Sequence, residues 1–230
     1  MPLLDFRLEP IDGPARTERV QINQFVIAGW TARDMAAVQH HIDELARIGV
    51  PAPSSVPLFY RVSASQVTQD TEVQVLGADS SGEAEPVLFC HGGEMWLTLG
   101  SDHTDRKVET YSVAVSKQMC VKPVATVAWR LRDVADHWDQ LQLRSFITEG
   151  GKRVAYQAGA LAAMRTPADL VPRFCAGAMS LPEGTMMSCG TLGAIGGVRP
   201  ALDCQLELED PVRGRVLRHS YAMSVLPVVS

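Results

Sequence analysis

The stretch SGEAEPVLFCHGGEMWLTLGSD, from Ser81 to Asp102, decides how this chain folds. Two apolar runs flank Gly92-Gly93, a favoured two-residue hairpin turn. If that pair forms the turn, His91 faces Glu94 and the pairing runs outward from there. Glu83 then falls opposite Asp102, and Glu85 opposite Gly100. Residues two apart on a strand share a face, so Glu83 and Glu85 point the same way. Directly paired residues share a face too, with Cβ atoms about 5 Å apart. Three carboxylates therefore converge, and Gly100 leaves room beside Glu85. Three like charges so close are unfavourable unless a cation neutralises them. An all-oxygen set favours Mg²⁺ or Mn²⁺, with Ca²⁺ a further candidate, over zinc. A solvated face on an edge strand is the competing account. Pro86 points to an edge or a bulge, and a three-residue loop would send Asp102 to the opposite face.

Outward from the hairpin, short strands dominate. LFYRVS, TEVQVLG, TYSVAVS, VATVAWRL and LQLRSFI read as strands, EGGKR as a hairpin turn, and CQLELED with VLRHSYAMSV as a closing antiparallel pair. The first 30 residues also alternate as strands. Two helices stand out. TPADLVPRFCAGAM has Thr166 as cap and Pro167 at its first position. TARDMAAVQHHIDELARIG carries Met35, Val38, Ile42, Leu45 and Ile48 at helical spacing, with Thr31 as cap. The expected fold is α+β, mainly β, with one roll or barrel-like core and few helices. It occupies residues 1–230 as a single domain, with N-terminal strands over 1–30 and a helix over 31–48.

At 230 residues and 46% hydrophobic content, the chain can bury a core without disulfides. Its five cysteines are scattered, none in a C-x-x-C pair, which fits a reducing, cytoplasmic setting better than a disulfide scaffold or zinc ribbon. A net charge of −5 with no basic block argues against a nucleic-acid partner. No apolar run is long enough to span a bilayer, and MPLLDFRLEP does not read as a signal peptide.

SGEAEPVLF followed by LGSDHTDR resembles the metal-binding pattern of the fumarylacetoacetate hydrolase-like superfamily, a Glu-x-Glu strand and then an Asn-Asp-x-Ser/Thr-Ala-Arg-Asp motif. VSKQMCVKP resembles its lysine-bearing strand, VPLFYRVSASQV an earlier strand, and SLPEGTMMSCGTLGAIGGV its segment around a Gly-Thr pair, here Gly190-Thr191. The matches keep the family's order over roughly residues 30 to 215. The chain also departs from the pattern. The spacer before Asp102 is shorter, Ser101 stands for Asn, Arg61 for lysine and Leu192 for proline, which marks a divergent branch, a domain family of unknown function.

The resemblance implies a metal-dependent enzyme acting on a small 2-oxo acid or dicarbonyl, commonly as a homodimer. Glu83, Glu85 and Asp102 would be the metal ligands, and His41, Glu44, Lys117 and Thr191 the catalytic set. His41 and Glu44 match an H-x-x-E pair on a mobile lid helix, where the carboxylate orients an imidazole that activates water. His40 with Asp43 has the same spacing. Lys117, read within an apolar strand, would donate to a substrate carboxylate or a developing enolate, with Lys122 as its competitor. Asp105 and Arg106 read as supports of the loop. Hydrolysis of a carbon–carbon bond is the expected reaction. Decarboxylation, hydration or tautomerisation of a 2-oxo acid, or a catalytically silent metal-binding homologue, are the alternatives.

Overall fold

The computed structural model describes residues 1–36, 38, 39, 42, 43 and 52–229. Among them the first strands are β1 (Leu3–Glu9), β2 (Arg16–Gln21), β3 (Gln24–Gly29), β4 (Leu58–Val62), β5 (Val67–Thr68) and β6 (Glu72–Leu76). Then come β7 (Ser80–Ser81), β8 (Ala84–His91), β9 (Glu94–Ser101), β10 (Thr104–Asp105), β11 (Lys122–Pro123) and β12 (Val127–Arg130). The last are β13 (Gln142–Glu149), β14 (Lys152–Ala160), β15 (Thr185–Ser188), β16 (Asp203–Asp210) and β17 (Arg215–Leu226). Among the described residues, α1 (Arg106–Glu109), α2 (Val113–Met119) and α3 (Pro167–Phe174) punctuate them, with further helical residues from Met35 to Asp43.

An eight-stranded sheet runs β2-β1-β12-β9-β8-β15-β3-β4 and curls into a half-barrel. A five-stranded sheet, β14-β13-β16-β17-β6, packs against it. Leu88, Leu97 and Trp129 of the first sheet meet Leu143, Leu206 and Leu208 of the second in a shared core. A separate core of Phe6, Phe25, Phe89, Trp96 and Met186 covers the other face of the eight-stranded sheet, with Phe6 stacked on Phe89 at 4.5 Å. Strand β8 is thus buried on both faces, which is why its sequence is apolar nearly throughout. Strand β16 shows the other pattern, a strict alternation of buried and half-buried residues.

The Ser81–Asp102 hairpin forms in the expected register, from His91↔Glu94 to Glu85↔Gly100. Gly92 and Gly93 both take positive φ, 64° and 72°, as the type I′ form of a two-residue hairpin turn requires.

Several expectations need correction. Strand β8 is interior, between β9 and β15, so the Glu-x-Glu strand is not an edge. Pro86 is accommodated because it lies one residue beyond the last β15 pair, Ser188↔Val87. Gly100 leaves no open room: an added Cβ would press on Val87, Val124 and the Pro123 carbonyl. TYSVAVS is not a strand, because Ser112 caps α2 by accepting from the Val115 N–H. The buried positions there are Ser116, Lys117 and Cys120, which is helical spacing, while Val115 is exposed.

The helical segment at Met35 starts later than its sequence suggests. Residues 31–33 pair with residues 163–165 through the Ala32↔Met164 bridge, so Asp34 rather than Thr31 receives the Ala36 N–H. Val38 and Ile42 are buried there, but Met35 is exposed.

Leu208 is fully buried between the sheets. Leu208→Ala is expected to cost about 2–5 kcal/mol of unfolding free energy, read by chemical denaturation, because the shared core cannot collapse into the void.

Candidate metal centre

Glu83 precedes β8, Glu85 lies within it, and Asp102 follows β9. The Asp102 N–H donates to the Glu83 carbonyl at 3.0 Å, so the two residues face each other as the register requires. The three side chains offer carboxylate oxygens that all lie within 4.8 Å of one another. Glu85 and Asp102 are buried and Glu83 is half-buried. They lie on the Val87–Phe89 side of the sheet, away from the five-stranded sheet.

Cationic side chains surround this cluster. Lys117, on α2, donates to Asp102 Oδ2, and Lys122, on β11, lies 3.0 Å from Asp102 Oδ1. Lys122 is fully buried and also donates to the His103 carbonyl. Arg106 reaches Glu83 at 3.0 Å and Glu109 at 3.1 Å. Glu85 Oε2 accepts from the Gly190 N–H at 2.9 Å and from the Ser188 hydroxyl. Gly190 is required there: its φ is +96°, and a Cβ would overlap the Thr31 hydroxyl.

Burial would raise the Asp102 pKa, but the two lysines outweigh it and hold the carboxyl below its usual range. Burial likewise disfavours charge on Lys117, yet Asp102 and Glu83 keep its pKa above the ordinary lysine value. Lys122 is pulled down by burial, against the attraction of Asp102. Burial and then the Asp102 charge push Glu85 up to about 8. The group most in need of a positive neighbour is therefore Glu85.

The donor set fits a hard divalent cation. It is all oxygen, partly buried and acidic. Asp102 Oδ1 is buried 3.0 Å from the Lys122 ammonium group, which helps hold the carboxylate ionised, the form a cation requires of its ligand.

Lys117, expected on a strand, reaches the site from α2, and Lys122 joins it at Asp102 rather than replacing it. Thr191 is half-buried at the margin. Its hydroxyl donates to the Ala84 carbonyl at 2.8 Å and accepts from Gln157 Nε2 at 2.6 Å. Asp105 caps α1 and Arg106 braces Glu83, as loop supports should. His41 and Glu44 lie outside the described residues, as does His40. Sequence reasoning missed Ser188 and Gln157. Each is a buried polar residue in a run of small or apolar neighbours, and that mismatch was the available signal.

The architecture that places these residues is the fumarylacetoacetate hydrolase-like fold. The chain belongs to the family described as protein of unknown function (DUF2848), which matches residues 28–221. Yeast ynq8, a fumarylacetoacetate hydrolase family protein, is similar with a TM-score of 0.63 and 15% identity, covering 90% of this chain and 95% of that one. A 2-keto-3-deoxy-D-arabinonate dehydratase gives a TM-score of 0.65 at 12% identity, covering 93% of this chain and 77% of that one. The 5-carboxymethyl-2-hydroxymuconate delta-isomerase from Mycobacterium smegmatis gives 0.61 at 12% identity, with 92% and 81% covered. No curated protein matches this chain by sequence.

The folded chain holds a proton on Glu85 up to about pH 8, whereas the unfolded chain releases it near 4.5. Stability therefore falls as pH rises between these values. His103 acts in the opposite sense, but only below its ordinary 6.5, because burial and then Lys122 hold its folded pKa at about 3. With chelator present, the melting midpoint is expected to fall from pH 6.5 to 8, and Glu85→Gln should flatten that slope. An equally steep slope in the variant would show that Glu85 is ionised throughout.

Proposed function

We propose that this chain is a divalent-cation-dependent enzyme that hydrolyses a carbon–carbon bond in a small dicarbonyl or 2-oxo acid, an acylpyruvate-like substrate. The observation that carries this reading is the convergence of Glu83, Glu85 and Asp102 beside the buried ammonium group of Lys117. These three carboxylates would hold Mg²⁺ or Mn²⁺, with Ca²⁺ as the further candidate. Such a cation, when bound, supplies Lewis-acid polarisation of the substrate's carbonyl oxygens.

The protein's own groups would do the rest. His41, oriented by Glu44, takes a proton from water. The resulting hydroxide adds to the carbonyl carbon, and the bond to the next carbon breaks. Its electron pair leaves as an enolate, which regains a proton from the His41 imidazolium. Lys117 is held charged by its carboxylate neighbours and donates to the oxygen on which negative charge grows. Thr191, beside Gly190, lines the substrate position.

The His41 and Glu44 roles rest on their i,i+3 spacing and on the family resemblance. In this reading residues 1–230 work as one domain, residues 31–48 act as a lid, and the enzyme is a homodimer. Five free cysteines favour a reducing, cytoplasmic setting. Among the described residues no helix is long and apolar enough to cross a membrane.

A second reading is a decarboxylase, hydratase or tautomerase of a 2-oxo acid. Structural neighbours named as a dehydratase and an isomerase support it. Decarboxylation and tautomerisation need no nucleophilic water, and hydration adds water without breaking a carbon–carbon bond, so the two readings separate by their products.

Calorimetry with Mg²⁺ and Mn²⁺ is expected to give one ion per chain, and Asp102→Asn to weaken binding more than about tenfold, since a charged oxygen ligand is lost. Unchanged affinity in that variant would remove Asp102 from the site.

Acylpyruvates and oxaloacetate offered in ¹⁸O-labelled water distinguish the reactions. Hydrolysis places label in the released carboxylate, whereas decarboxylation releases CO₂ without attack by water. His41→Ala is expected to slow hydrolysis roughly 10²–10⁴-fold with cation affinity intact. Full hydrolytic rate in His41→Ala would transfer the base role to His40.

A further inference from the structure

Strand alternation sends Glu85 to one face of the eight-stranded sheet and Ala84, with its partner Ser101, to the other. Ser101 and His103 therefore flank Asp102 on the side of the five-stranded sheet. A single side chain from that sheet meets both. The Tyr221 hydroxyl, on β17, lies 2.8 Å from Ser101 Oγ and 3.0 Å from His103 Nδ1. Ser101 Oγ also accepts the Glu83 N–H at 3.1 Å. One buried phenol thus ties together the residues on both sides of Asp102 and the backbone of Glu83, across 120 residues of sequence.

We infer that Tyr221 is a positioning residue, whose hydroxyl fixes Ser101 and His103 and so sets the direction in which Asp102 meets Glu83 and Glu85. The inference rests on the cation-site reading above.

Two further features point the same way. Gly82 stands just before the Glu-x-Glu pair, and a Cβ there would overlap the Tyr221 hydroxyl and come within 2.9 Å of Ser101 Oγ. The approach to the site is thus kept clear for that oxygen. The Asp102 backbone is pinned as well, its N–H by the Glu83 carbonyl and its carbonyl by the Thr104 hydroxyl at 2.9 Å. With main chain and both neighbours held, only the Asp102 side-chain torsions remain, and Lys117 and Lys122 restrict those. A phenylalanine would fill the same volume, so the packing between the sheets does not need the hydroxyl.

Mn²⁺ binding by calorimetry, paired with thermal melting of the cation-free protein, tests this. Tyr221→Phe is expected to raise the Mn²⁺ dissociation constant about 10–100-fold, the usual effect of losing a group that orients a ligand. Ser101→Ala should do the same. The double variant should lose less than the sum of the two single ones, because both remove the Ser101–Tyr221 contact. Cation-free melting midpoints should stay within a few degrees of wild type. Wild-type Mn²⁺ affinity in both variants, even with lowered midpoints, would overturn the inference and leave Tyr221 a plain strut between sheets. If Tyr221→Phe fails to fold, Ser101→Ala decides: it removes the hydroxyl that joins Tyr221 to the Glu83 N–H, so wild-type Mn²⁺ affinity there overturns the inference and a weakened one supports it. Failure of the wild-type protein to bind Mn²⁺ would instead overturn the cation site itself, and the positioning role with it.

Discussion

A two-residue turn fixes everything at this site. Gly92 and Gly93 close the β8–β9 hairpin with both residues at positive φ, and this two-residue turn pairs His91 with Glu94 and so sets the register outward from there. Because side chains alternate, a slip of one residue would rotate Asp102 away from Glu83 and Glu85 and bring Ser101 into its place. The same slip would push β8's Val87 and Phe89 out of one core and into the other. The apolar packing on both faces therefore enforces the register at one end of the hairpin, and the carboxylates at the other end inherit it. The site is a consequence of hydrophobic sorting two to four residues further along β8, roughly 7–14 Å away at about 3.4 Å of rise per residue.

Charge is the harder problem for such a cluster. Three carboxylates gathered in a partly buried space repel one another, and burial penalises each ionised form. The chain answers unevenly. Asp102 receives both lysines and stays ionised; Glu83 receives Arg106; Glu85 receives only neutral donors, from Ser188 and the Gly190 backbone. A neutral hydrogen bond offsets less than an ammonium group at the same distance. Glu85 is left as the carboxyl that holds a proton, and a divalent cation would displace that proton on binding.

The parts of this arrangement that were legible in the sequence are the local ones. The Gly-Gly turn, the Glu-x-Glu spacing and the summed register need only strand geometry. The α2 helix was hidden because its inward residues are Ser116 and Lys117 and its outward residue is Val115, so apolar periodicity points the wrong way. That inversion exists because the helix packs against a charged site and not against a hydrophobic core. Lys122 looked like a rival to Lys117 because a sequence offers no sign that both terminate on one carboxylate. Tyr221 and Gln157 were beyond reach for a different reason. Each acts across the interface between the sheets, and no strand-level rule links β17 or β14 to the end of β9 or the start of β8.

The fold also separates two jobs. The carboxylates, their lysines and the Gly190 turn sit on β8, β9, β11, β15 and the short helices, in the interior between two cores, where a small change is felt throughout. The proposed base sits on the segment after Thr31, which joins this framework through the Ala32↔Met164 bridge and the buried Val38 and Ile42. A carboxylate wall built from sheet register resists drift, because each acidic residue shares its place with packed strands. Neighbours of this fold carry names as different as dehydratase and isomerase at about the same low identity to this chain. Fold alone does not choose among such reactions. In the proposed reading the choice lies with the polar side chains of the segment after Thr31, while the three carboxylates stay the same.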